Sequence, residues 1–156
     1  MKKISKKLYK ESLSKFATGI VVVGINLGGR FFGKTVNSFS AVSLTPPLIL
    51  FSLDKKASSL NKYKKIKYLS INILSNKQKN ISKIFSNKNL KWNYASFNKG
   101  KYSTPIIDNC LANLECKKLK ILSQGDHYIF ICKVISATYN KKLKPLLYFN
   151  SQYLNK

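Results

Sequence analysis

Arginine is all but missing from this sequence. Of 29 basic residues only Arg30 is an arginine, and the rest are lysines. Acidic residues are scarce as well: five Asp and Glu together leave a formal net charge of +24. A field of that sign attracts phosphate backbones. The lack of arginine argues against specific nucleic-acid readout, because the guanidinium fork is what matches phosphates and base edges bidentately. The lysines are spread along the whole chain, beside abundant Asn and Ile. That is the pattern of a composition bias acting on solvated positions, so nucleic acid is not the expected partner.

Cysteine is sparse too. Cys110, Cys116 and Cys132 are an odd number with no C-x-x-C among them. Neither a disulfide scaffold nor a zinc site is expected. Cys116 and Cys132 sit in apolar strand-like runs, which suits buried free thiols in a reducing cytoplasm. No stretch approaches the ~18 consecutive apolar residues of a transmembrane helix. The segment "MKKISKKLYKESLSKF" is basic but lacks the apolar core of a secretory signal. A G-x-G-x-x-G between strand and helix is absent, so no Rossmann dinucleotide site is expected. Internal repeats are absent as well. Histidine occurs once, at position 127.

What is present reads as one folded domain over residues 1–156. The chain is 44% hydrophobic and 12% aromatic, too apolar for disorder and long enough for a real core. A helix is expected over 5–16, with Leu8, Ser12, Leu13 and Phe16 on one side. "TGIVVVGIN" (18–26) is a β-branched strand, and Gly28-Gly29 turns it into a hairpin with 30–38. "PPLILFSLD" (46–54) is a buried strand with its prolines at the start. A short helix with a serine N-cap follows at 58–65. Next come a strand at 67–75 and a helix at 76–85 that turns Ile81, Ile84 and Phe85 inward. A long irregular segment spans 86–105, of the kind that carries function in compact domains. Long strands at 110–124 and 127–140 form a second hairpin around Gly125-Asp126, and 145–154 is a last strand. Strands do not alternate with helices, so a doubly wound α/β fold is disfavoured. The expected class is mainly β (α+β): an antiparallel, Greek-key type barrel with short helices.

Hydroxyls crowd the segment "TVNSFSAVSLTPPLILFSLDKKASS" (35–59), in the middle of this β-rich region. Two readings are open on the residues alone. Ser and Thr satisfy backbone groups at turns and strand ends. They also serve a ligand rich in donors and acceptors, such as a flavin mononucleotide with its ring carbonyls, ribityl hydroxyls and phosphate. A phosphate at the start of the 58–65 helix would meet free N–H groups and the helix dipole. Ser58 and Ser59, with Lys55 and Lys56 just before them, stand at that point.

The chain resembles the flavin reductase component of two-component flavin-dependent monooxygenases, the flavin reductase-like family with an FMN-binding split barrel. The resemblance is carried by "FATGIVVVG" (16–24), T-V-N-S-F-x-x-V-S-x-x-P-P from Thr35, "YLSINILS" (68–75), "PIIDNCLANLEC" (105–116), "GDHYIFICKV" (125–134) and "PLLYFNSQY" (145–153). It implies a split β-barrel, a homodimer with the flavin near the subunit interface, and hydride transfer from NADH or NADPH to FMN or FAD. It implies that Thr35, Val36, Asn37, Ser38 and Ser40 hold the ring and ribityl portions. Ser52, Leu53, Asp54 and Lys55 would line the neighbouring wall, and Ser58 and Ser59 the phosphate. Tyr148 has two readings, flanking the site or packing. His127, after Gly125-Asp126, matches a contact to the nicotinamide. The residue-level alternative is a structural histidine at a strand start. Relatives often carry glycine where Cys132 stands and near Tyr94, and arginine near the phosphate end, where this chain has Lys55 and Lys56.

The expected activity is flavin reduction that supplies a separate monooxygenase. The alternative is an FMN-binding electron carrier without NAD(P)H activity. The dimer is expected to bury aromatic side chains around Trp92.

Overall fold

The computed structural model describes residues 3–87 and 92–154. In chain order the elements are α1 (Lys6–Leu13), β1 (Thr18–Gly19), β2 (Val21–Leu27), β3 (Arg30–Val36), β4 (Ser40–Leu44) and β5 (Pro47–Asp54). Then come α2 (Leu60–Lys65), β6 (Tyr68–Ile73), α3 (Lys79–Ser86), β7 (Phe97–Lys99) and β8 (Pro105–Ile107). The chain closes with β9 (Ala112–Gln124), β10 (His127–Tyr139), β11 (Leu147–Phe149) and β12 (Gln152–Leu154). Strand makes up 51% and helix 19%, which puts the fold in the mainly β class.

Seven strands pair antiparallel in the order β3-β2-β6-β9-β10-β5-β4. Turn chemistry sets the registers of the hairpins. Gly28 and Gly29 both adopt positive φ between the paired residues Leu27 and Arg30, the geometry of a two-residue hairpin loop. Gly125, with φ +52, takes the first central position between Gln124 and His127. A primed turn there asks for glycine, and this one places His127 at the very start of β10.

β2 is buried on both faces, which explains its unbroken run of β-branched residues. Val21, Val23 and Ile25 join Phe51, Leu53, Phe130 and Tyr63 in one core cluster. Val22 points the other way and packs with Ile20, Leu74, Phe85, Ile107 and Leu146 in a second. Phe51 and Phe130, direct partners in the β5–β10 register, stack with centroids 4.9 Å apart. The segment after α3 is held down by buried polar groups. Asn72 Oδ1 accepts from Ile107 N at 2.9 Å, and the Glu115 carboxylate accepts from Tyr102 N and Thr104 Oγ1.

Several elements differ from the sequence expectation. The first helix ends at Leu13 and buries none of its residues, so its apolar side faces outward. Residues 40–44 form an edge strand. Residues 145–154 are a small hairpin rather than one strand, turned by Asn150 and Ser151 at positive φ. The 86–105 segment contains β7 and the start of β8, although residues 88–91 lie outside the described residues. Trp92 packs within its own chain against Phe85, Phe97 and Phe31 and is half-buried.

Candidate functional site

The strand ends that carry the hydroxyl-rich segment converge on one cavity of about 460 Å³. One wall is the end of β3 and the loop after it: Lys34, Thr35, Val36, Asn37 and Ser38. The opposite wall is the end of β5, Ser52, Leu53 and Asp54, followed by Lys56 and Ala57. His127 closes the side. Its position follows from pairing, because His127 lies opposite Asp54 in the β5–β10 register.

Three hydroxyls in this segment are committed to the protein, two of them at the cavity. Ser38 Oγ accepts from Ser52 N at 2.9 Å and donates to Ser52 O at 3.1 Å, imitating a strand partner. This ties the loop after β3 to β5 across the cavity. Thr35 Oγ1 donates to Ser82 O at 2.7 Å, fixing the end of β3 to α3. The turn-and-cap reading therefore holds for these hydroxyls. Some hydroxyls shape the cavity, while the Asn37 and Ser52 side chains have no partner among the hydrogen bonds of the described residues.

Other expected site residues fall elsewhere. Ser40 starts β4, exposed, and donates to Ala41 O. Lys55 turns away: its Nζ donates to Gly125 O at 2.6 Å and its N–H to Asp126 O at 2.9 Å. Ser58 is exposed outside the cavity lining. Ser59 is buried at the N-cap of α2, but its hydroxyl makes no capping bond. Tyr148 lines an adjoining cavity of about 290 Å³ with Tyr153, Ile20 and Ser86. Thr35, Val36 and Asn37 belong to both cavities, so this short segment is the ridge between them. Asn37 also reaches a third, more apolar cavity of about 320 Å³ beside Phe16–Val21.

Sequence reasoning missed Lys34 and Ala57 as lining residues, and of the two lysines it set at the phosphate end only Lys56 lines the cavity. Lys34 had a signal: it precedes Val36 by two in a strand and shares its face. Its Nζ donates to Ser86 O at 3.2 Å.

Charge at the site is organised by the Gly125-Asp126 turn. Asp126 Oδ1 lies 2.7 Å from His127 Nδ1. The hydrogen bond and charge of His127, with Lys55 nearby, hold the Asp126 carboxyl below the usual carboxylate range. Lys64 and Lys55 likewise lower the phenol of the neighbouring Tyr128. Asp54 Oδ1 accepts from Lys56 N at 2.7 Å, closing the turn that brings Lys56 to the cavity.

A mainly antiparallel β domain with an open, amide- and hydroxyl-lined cavity at its strand ends belongs to the class of small-molecule-binding β folds. The family is then specific: the profile described as "Flavin reductase like domain" matches residues 13–155, and this chain belongs to that family. It is 34% identical over 131 residues to the reductase component of the flavin-dependent trigonelline monooxygenase of Acinetobacter baylyi, covering 83% of this chain and 42% of that protein. It is 30% identical over 131 residues to the FMN reductase (NADH) SmoA of Agrobacterium fabrum, covering 84% of this chain and 75% of that one. The chain thus spans less than half of the first relative and three quarters of the second. Among solved structures, the NADH:FAD oxidoreductase SgcE6 of Streptomyces globisporus, in complex with NAD and FAD fragments, superposes with a TM-score of 0.92. That match is 26% identical and covers 100% of this chain and 97% of that one.

Proposed function

We propose that this protein is an NAD(P)H:flavin oxidoreductase, with residues 1–156 acting as one flavin reductase-like domain. The observation that carries the reading is the cavity itself. The segment that bears the family resemblance supplies both of its long walls, and the chain's one histidine stands at its side.

The cavity suits a flavin on its own chemistry. Its volume lies within the ~300–1,000 Å³ of small-molecule sites, and it shares the Thr35–Asn37 ridge with the neighbouring cavity. Asn37 and Ser52 offer donors and acceptors to ring and ribityl oxygens, while Val36 and Leu53 offer apolar contact. Lys56 and the backbone at Ala57 make the cationic end suited to the phosphate, with Ser58 and Ser59 behind it. Ser38 and Lys55 act by bracing the walls, and Ser40 by continuing the edge strand. Tyr148 bounds the site on the far side of the ridge.

A flavin held here would supply the hydride acceptor for a nicotinamide. The chain's part is to hold the two ring systems in transfer geometry and to keep water away from them. His127 is the residue placed to orient the nicotinamide. FMN and NADH are the pair named for the Agrobacterium relative and are the first substrates to test. The reduced flavin would pass to a separate monooxygenase, since the Acinetobacter relative is the reductase component of one. Three buried free thiols support a reducing, cytoplasmic setting. Among the described residues no helix is long and apolar enough to cross a membrane.

His127→Ala tests the assignment. Flavin affinity should stay nearly unchanged, while reduction of pre-bound flavin by NADH slows about 10–1000-fold, as when near-attack geometry is loosened. A variant that melts early but reduces its flavin at the parental rate removes His127 from the site.

A further inference from the structure

We propose that Asp126 is a positioning residue that fixes the tautomer of His127, so that His127 Nε2 meets the reductant as a hydrogen-bond acceptor. The donor it would take is an N–H of a primary carboxamide, such as that of a nicotinamide. This second half rests on the reductase reading above.

The Gly125-Asp126 turn is held rigidly. Two bonds from Lys55, to Gly125 O and Asp126 O, lock the Gly125-Asp126 backbone against the end of β5. Gly125 at φ +52 and the His127–Asp54 pairing leave the turn little freedom. Within that frame the Asp126 carboxylate lies 2.7 Å from His127 Nδ1. A carboxylate has no proton to give, so in the neutral ring the proton must sit on Nδ1. A free histidine side chain in water prefers the opposite tautomer, with its proton on Nε2. Asp126 therefore imposes a choice that the free side chain would not make. Nε2 is left with its lone pair, on a half-exposed ring that lines the cavity.

The charged neighbours agree with this assignment. Lys55 faces the turn from β5 and favours the ionised carboxylate, and Asp54 on the paired strand is occupied with Lys56 N. Gln124, opposite His127 on β9, is neutral. An acceptor at Nε2 can hold a carboxamide N–H and set the rotation of the nicotinamide ring. In that state it has no proton to donate to the flavin.

The test exploits the single histidine, which gives one imidazole pattern in a long-range proton–nitrogen NMR spectrum of the flavin-free protein. Above the histidine titration range, the wild type should show a proton-bearing Nδ1 and an unprotonated Nε2. Asp126→Ala should move the ring toward the Nε2–H form. The Asp126 side chain is 89% exposed, so this variant is expected to fold. A wild type in the Nε2–H form overturns the proposal, and so does an Asp126→Ala spectrum that keeps the Nδ1–H form.

The kinetic arm compares NADH with reduced 3-acetylpyridine adenine dinucleotide, which has an acetyl group and no amide N–H. Asp126→Ala should raise KM for NADH roughly 3–10-fold, the loss of about one hydrogen bond, and leave KM for the acetyl analogue nearly unchanged. Equal effects on both dinucleotides overturn the carboxamide contact. No turnover with either, in the presence of the expected tautomers, overturns the reductase reading and the contact with it, while the Asp126–His127 tautomer device stands.

Discussion

Lys56 is the residue on which the orientation of the proposed ligand turns. It reaches the cavity because Asp54 caps the turn after β5, and among the described residues its ammonium has no partner in the hydrogen bonds. Lys56→Ala should weaken FMN binding by about 1–3 kcal/mol, the scale of a charge-assisted hydrogen bond, and leave riboflavin nearly indifferent. Equal losses for the two ligands, measured by fluorescence titration, would place the phosphate elsewhere. The cysteines make the opposite case, of groups withdrawn from chemistry. Burial pushes the thiols of Cys110 and Cys132 up to about 12, from an ordinary 9.0, and Cys116 higher still. All three are therefore protonated near neutrality, and alkylation of the native protein should be negligible until denaturant is added. Raised values also give a sign for stability. The unfolded chain releases these protons first, so the contribution is intact below pH 9 and is lost as pH rises toward 12. The melting temperature should fall across that window, and rapid thiol labelling of the native protein at neutral pH would contradict the burial.

At the scale of elements, the site depends on the bracing of β3 against β5. Ser38 makes both of its bonds to the backbone of Ser52, and it joins a loop to a strand that is not its sheet neighbour. Ser38→Ala should cost about 1–2 kcal/mol in a urea titration and weaken flavin binding, because the cavity loses its clamp. Full stability with weakened binding would instead make Ser38 a direct ligand contact. This clamp was not readable beforehand, since a serine side chain standing in for a strand has no periodic signature. Turn-coded features were legible: Gly28-Gly29 and Gly125-Asp126 sit where the glycine chemistry put them. β4 was not, because Ser40, Ala41 and Ser43 carry little strand propensity and the strand exists through its pairing with β5. α1 was found by periodicity, but its apolar stripe buries none of its residues among the described residues. Periodicity alone does not name what covers a face. The cavity's β3 loop and β5 walls were legible through the family motif. The roles of Ser59 and Lys55 were not, because side-chain direction is decided by the turn and by packing.

For the whole molecule, the outer face of the main sheet raises the question of assembly. Leu48 and Leu50 on β5, Leu122 on β9, and Ile129 and Ile131 on β10 are half-buried but belong to neither core cluster. Their registers put them on the face opposite Phe51 and Phe130, continuous with Ser52 and His127 at the cavity. A symmetric homodimer across this face would shelter it and wall the cavity. Light scattering of the wild type at micromolar concentration should give twice the monomer mass, and Ile131→Asp should give the monomer. A monomeric wild type with flavin bound would refute the dimer.

The central claim is that this cavity holds a flavin and presents it to a nicotinamide. The most direct measurement is anaerobic rapid mixing of the FMN-loaded protein with NADH, following the visible flavin absorbance. The band should bleach in a phase that saturates with NADH and outpaces free FMN under the same conditions. Bound FMN that keeps its colour in the presence of NADH would show an electron carrier instead, and a protein that takes up no FMN would empty the site of its proposed ligand.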